Sequence, residues 1–191
     1  MGAPLTSGPA RTIIPQIPGI CQPQKPENFA QKFSPDFVQL FIAFYLFKYY
    51  NKFDMDGTIA DLYGVENWLD YLINEKAYPY EVAKPMVNMS RLARIIHRVQ
   101  ARGDRVEIIS WLSKNGSEHY NMAVTLAKVE WLKKHLPSVE FDEIHIVPYG
   151  TPKANVTHAY GAVLFDDEEH NRVEWHKGMA YTPDKIFEIM A

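Results

Sequence analysis

Phe53-Asp54-Met55-Asp56-Gly57-Thr58 follows the run Tyr49-Tyr50-Asn51-Lys52, and this stretch decides how the rest of the chain is read. Asp54 and Asp56 lie two residues apart at the end of an apolar segment. If Phe53–Met55 close a strand, side-chain alternation puts both carboxylates on one side of it. Gly57 lets the backbone turn sharply straight afterwards. Two like charges that close are costly without a cation or a shared proton. A hard, oxygen-seeking ion such as Mg²⁺ relieves the conflict, and a carboxylate so placed can also attack phosphorus. Asp and Gly are equally ordinary turn residues, so the hexapeptide gains its meaning from the segments downstream of it.

Three more features occur later in the chain, each at or just past the end of an apolar segment. Val106-Glu107-Ile108-Ile109-Ser110 is a short β-branched run ending in a hydroxyl. Lys153 lies in Gly150-Thr151-Pro152-Lys153, read as a loop after Ile144–Val147, and Ala162-Val163-Leu164-Phe165 runs into Asp166-Asp167. Taken singly they are a strand-end serine, a solvated lysine and an acidic loop or cap. In the order Asp-x-Asp-Gly-Thr, Ser, Lys, Asp-Asp, they resemble the haloacid-dehalogenase superfamily of phosphohydrolases.

The resemblance covers about residues 50 to 190 and implies a role for each position. Asp54 would be the nucleophile and a Mg²⁺ ligand. Asp56 would be the general acid/base, with its backbone carbonyl on the metal. Thr58 would order the loop behind them and, with Ser110 and Lys153, belong to the phosphate site. Lys153 would pair with the nucleophile, Asp166 would complete the metal site, and Asp167 would orient a metal-bound water or Lys153. The chemistry is coherent without the family: phosphoryl transfer needs an in-line nucleophile and positive charge around the equatorial oxygens. Asp56 is then free for general acid/base work.

A narrower resemblance is carried by Lys128-Val129-Glu130-Trp131-Leu132-Lys133-Lys134-His135-Leu136 and by Leu164-Phe165-Asp166-Asp167 with Asn171. These are similar to the small 5′(3′)-deoxyribonucleotidase branch, which implies a mononucleotide substrate. Val124, Ala127, Val129, Leu132 and Leu136 also fit the core face of a plain helix, in which case Trp131 packs rather than stacks on a base. Two departures weigh against the pattern. Asn51 and Lys52 are awkward in a strand buried on both faces, so the strand starts late or the side chains snorkel to the sheet edge. Trp111 stands after Ser110, where a small residue is the rule, and would narrow the phosphate pocket or offer a stacking face.

Composition fits an enzyme of this class. A chain of 191 residues suits one good core, and a net charge of −3 argues against a dedicated nucleic-acid binder. The lone cysteine, Cys21, leaves no internal disulfide framework, and the cytoplasm is the expected compartment. Residues 1–35 read as an irregular, proline-rich extension before a catalytic domain over 36–191. The apolar stretch Phe37–Tyr50 is shorter than the ~20 residues a membrane span needs, and no secretory signal follows Met1.

From Asn51 onward strand and helix alternate. Strands are expected near 50–55, 105–110, 143–148, 162–166 and 178–181, and helices near 64–75, 88–102, 117–136, 168–174 and 183–190. That alternation predicts an α/β fold, a Rossmann-like parallel sheet with helices on both faces. The motif residues then converge at the carboxyl ends of the strands, where such sheets bind ligands. Residues 61–88 would form a small helical cap, with Tyr63, Trp68, Tyr71, Tyr78 and Tyr80 as candidates to touch substrate. The expected function is a Mg²⁺-dependent phosphomonoesterase for a small phosphorylated substrate, foremost a mononucleotide. The alternatives are a phosphatase for a sugar phosphate or a nucleic-acid end, and a non-catalytic binding protein that retains the fold.

Overall fold

The computed structural model describes residues 49–191. The extension expected over 1–35 and the apolar stretch up to Lys48 lie outside the described residues.

Five parallel strands make the central sheet: β1 (Tyr50–Phe53), β4 (Arg105–Trp111), β5 (Glu143–Val147), β6 (Val163–Phe165) and β7 (Ala180–Tyr181), in the order β5-β4-β1-β6-β7. The fold is α/β, as the alternation predicted. Two further strands, β2 (Ala60–Asp61) and β3 (Lys84–Pro85), pair antiparallel apart from the sheet. Between them lie helices α1 (Trp68–Ile73) and α2 (Tyr78–Val82). The other helices are α3 (Met89–Ala101), α4 (Glu118–His135), α5 (Lys153–Val156), α6 (Glu169–Glu174) and α7 (Ile186–Ile189).

Chain order explains where a site can form. From β1 the chain adds β4 and β5 on one side, then crosses to add β6 and β7 on the other. The point where direction reverses lies between β1 and β6, and open α/β sheets hold ligands at that point beyond the strand ends. One face of the sheet buries Phe53, Val106, Ile108 and Phe165 against Leu92, Ile96 and Val99 of α3 and Trp131 and Leu132 of α4. The other buries Ile109 and Leu164 against Ala154 of α5 and Trp175. Trp131 is a packing residue: it is buried, and its Nε1 donates to the Ala83 carbonyl at 2.7 Å.

Several local expectations are corrected. The first strand stops at Phe53, two residues early, and hands over to a turn in which the amides of Ile59 and Ala60 both donate to the Met55 carbonyl. Lys153 opens a helix instead of lying in a loop, whereas Ser110 falls at the carboxyl end of β4 as expected. The helix expected near 88–102 runs over Met89–Ala101, and Asn88 is its N-cap, with a side chain that accepts from the Arg91 amide at 2.9 Å. After Thr182, residues Pro183–Lys185 form a 3-10 turn before α7.

Asn51 and Lys52 neither delay the strand nor snorkel. Both are buried within it, and Lys52 is 0% exposed. Register puts Lys52 beside Glu107 on β4, and the two form a buried ion pair. Arg105 and His145 approach the same carboxylate at 3.8 and 3.9 Å. A charge in the central strand is tolerated here because its countercharge lies on the next strand.

Candidate active site

The loop after β1 is shaped by a close approach to the loop after β6. Gly57 has φ of +74°, and a Cβ there would lie 2.3 Å from Asp167 Oδ2 and 2.8 Å from the Tyr63 ring. Only glycine meets both demands. Thr58 is buried, and its hydroxyl accepts from the Asp167 amide at 3.1 Å and donates to Asp167 Oδ1 at 3.3 Å. It braces one loop against the other, with its hydroxyl committed to Asp167.

Asp54 and Asp166 face each other across the reversal point, at the ends of neighbouring strands β1 and β6. The Asp54 amide continues the ladder by donating to the Phe165 carbonyl at 2.9 Å. Lys153 Nζ sits between the two carboxylates, 2.8 Å from Asp54 Oδ1 and 2.5 Å from Asp166 Oδ2. Burial opposes its charge, but Asp54 and Asp166 outweigh that and hold its pKa above the ordinary lysine value. Asp166 Oδ1 accepts from the Glu168 amide at 2.9 Å and Asn171 Nδ2 at 3.2 Å, so its orientation is fixed from several directions. Burial, with Asp54 adding to it, pushes the Asp166 carboxyl above its usual range. The same causes, burial first and then Asp54 and Asp166, push Asp167 up to about 7.

A second buried lysine belongs to the site, the residue that opens the helix motif and to which the sequence assigned no role of its own. Lys128 of α4 is 1% exposed, and its Nζ donates to Asp56 Oδ2 at 2.6 Å, Ser110 Oγ at 2.8 Å and the Trp111 carbonyl at 2.6 Å. The signal was present in the helix: Val124, Lys128 and Leu132 are spaced by four, so a lysine falls on the buried stripe. Burial pushes Asp56 above the usual carboxylate range, while the nearby Lys128 opposes that shift. Ser110 is fully buried beside this lysine.

Above these groups opens a cavity of about 460 Å³. Asp54, Asp56 and Lys153 line one part, and Leu62, Leu72 and Trp111 are among the apolar residues that line the rest. Of the five aromatics between the first two motifs, Tyr63, Trp68 and Tyr80 line the cavity, whereas Tyr71 packs on Tyr78 with centroids 5.1 Å apart. Trp111 also borders it, anchored by its Nε1 to the Thr151 carbonyl at 2.8 Å and tilted against Tyr149.

The donor set suits a hard cation. Asp54, Asp166 and Asp167 each place one carboxylate oxygen within 4.8 Å of the others. Like charges that close repel one another, which is the condition a divalent ion relieves. Glu107, Glu143 and His145 also bring ligand atoms within 4.8 Å of one another, but there the Lys52 ammonium already sits on Glu107.

No protein-family model matches the chain, and no curated protein matches it. Among solved structures the chain is similar to a D,D-heptose 1,7-bisphosphate phosphatase from Burkholderia thailandensis, at 18% identity and a TM-score of 0.44, over 69% of this chain and 75% of that one. No helix among the described residues is long and apolar enough to cross a membrane.

Proposed function

We propose that this chain is a cytoplasmic, Mg²⁺-dependent phosphomonoesterase of the haloacid-dehalogenase type, with (deoxy)nucleoside 5′-monophosphates as its substrates. The observation that carries the reading is the arrangement of Asp54, Asp56 and Lys153 along one cavity wall, with Asp166 bonded behind them. Asp54 attacks phosphorus as the bond to the leaving oxygen breaks, and the proton on Asp56 passes to that oxygen. Water then attacks phosphorus, its proton goes to Asp56, and the bond to Asp54 breaks. Lys153 holds Asp54 in line and offers its remaining N–H to the phosphoryl oxygens. Asp54, Asp166 and the Asp56 backbone carbonyl would hold Mg²⁺, with the Asp167 carboxylate close by, and the ion when bound supplies positive charge toward the phosphoryl group.

The mononucleotide reading draws support from the cavity walls. Residues 61–88 serve as a small cap, and Tyr63, Trp68 and Tyr80 of that cap, with Trp111, give flat apolar surface beside the carboxylates. Base–aromatic stacking is worth about 1–3 kcal/mol per base. The test is phosphate release from a panel of mononucleotides, sugar phosphates and 5′-phosphorylated oligonucleotides, with Mg²⁺ and with excess chelator. Release from mononucleotides that stops on chelation is expected. Release only from sugar phosphates or oligonucleotide ends would move the substrate class. No release from any ester, with Mg²⁺ present, would favour a binding protein that retains the fold.

A further inference from the structure

Lys128 is a cation with three N–H bonds, and all three are committed: to Asp56 Oδ2, Ser110 Oγ and the Trp111 carbonyl. It has no N–H left to offer a phosphoryl oxygen. It is also absent from the cavity lining, whereas Asp56 lines the cavity and its side chain is 16% exposed. Among the described residues, no other hydrogen bond reaches the Asp56 carboxylate. One oxygen of Asp56 is therefore tethered from behind, and the other is the one left to meet a ligand.

From this geometry we infer that Lys128 is a positioning residue: it holds Asp56 Oδ2 so that Oδ1 alone faces the leaving-group oxygen of a bound phosphomonoester. The inference rests on the phosphomonoesterase reading. Ser110 and the Trp111 carbonyl act as the second and third points of the clamp. They fix the ammonium against rotation, and through it the plane of the carboxylate. Proton transfer depends on such alignment, since a donor must sit within hydrogen-bond reach of the atom it protonates. Ser110, which accepts from Lys128, keeps its own O–H proton free for a partner other than the lysine.

The clamp matters where the leaving oxygen needs a proton and little where it does not. An alkyl phosphate, whose leaving alkoxide is strongly basic, needs the proton. An activated aryl phosphate such as p-nitrophenyl phosphate leaves without it. Lys128→Met, Asp56→Asn and the double variant are assayed on both esters with Mg²⁺, and each is melted to score folding. Lys128→Met should lose on the order of 10²-fold in kcat on the alkyl ester and less than about tenfold on the aryl ester, with KM little changed, given that general-acid help contributes ~10²–10⁴-fold. In the Asp56→Asn background the same lysine change should add little further loss on the alkyl ester, because both act through one proton.

Equal losses on both esters, or a full multiplicative loss in the Asp56→Asn background, would overturn the inference while leaving the phosphomonoesterase reading intact. Lys128→Gln, which keeps an N–H donor, is measured alongside. If neither variant folds, Lys128 is a structural residue and the inference fails. A wild-type protein inactive on both esters removes the underlying reading, and the role of Lys128 with it.

Discussion

Lys52→Met tests whether the charge in the central strand depends on its partner. Lys52 is 0% exposed and Glu107 is 4% exposed by side chain, so little water reaches either charge. Methionine keeps most of the lysine stem's volume, so the change removes the ammonium with little loss of packing. What remains is an uncompensated buried carboxylate, and breaking one side of such a pair costs roughly 3–5 kcal/mol. Arg105 and His145, at 3.8 and 3.9 Å from Glu107, offset part of this and place the expected loss near the lower end. A loss of about 3 kcal/mol corresponds to a fall in Tm of roughly 6–12 °C for a chain of this size. Urea unfolding followed by circular dichroism reads the loss directly, with the m-value unchanged. Adding Glu107→Leu should restore stability to within about 1 kcal/mol of wild type, because apolar replacement of both partners of a buried pair is often neutral. A single-variant loss below about 1 kcal/mol, or a double variant as unstable as the single, would mean that Glu107 does not depend on Lys52 for its countercharge.

Asp54→Asn should abolish phosphate release, since the amide is nearly isosteric but a very poor nucleophile; turnover near wild type by a folded Asp54→Asn protein would end the aspartyl-phosphate mechanism. Gly57→Ala should lower Tm and raise the Mg²⁺ needed for half-activity, because the new Cβ would press on Asp167 Oδ2 while φ stays at +74°; unchanged values for both would mean the loop yields without consequence. The metal-free protein should lose stability as pH rises from about 4 to about 7. Asp167 is pushed up to about 7 from an ordinary value of 3.8, so the folded state binds a proton that the unfolded chain has released in that window. Mg²⁺ should then raise Tm more at pH 8 than at pH 5, and melting curves indifferent to both variables would count against the carboxylate cluster.

Patterns local in sequence were the readable ones. The β-branched run Val106–Ile109 and the apolar run Ala162–Phe165 announced β4 and β6, because a strand buried on both faces needs little else to declare itself. Gly57 was readable as a turn, though not as the contact with Asp167, a residue far along the chain. Lys52 looked out of place because its partner Glu107 is supplied by a strand 55 residues later. Lys128 stands at the head of a helix motif, but its role at the site was hidden because the helix's apolar neighbours already explained the pattern. The two-residue strands β2 and β3 are too short to alternate visibly, and the four-residue helix that begins at Lys153 spans barely one turn, too short for its period to repeat.

The hydrogen bonds between Thr58 and Asp167 join residues 109 positions apart, and this separation has a temporal meaning. A ribosome adding about 5–20 residues per second needs roughly 5–20 s to travel from one loop to the other. For most of that interval the nucleophile loop has been made while Lys153, the cation that pairs with Asp54, does not yet exist. The side of β1 that will receive β6 meanwhile carries unpaired amides and carbonyls, the kind of edge that recruits other strands. The acidic site is therefore born late and all at once, when the last quarter of the chain closes the sheet.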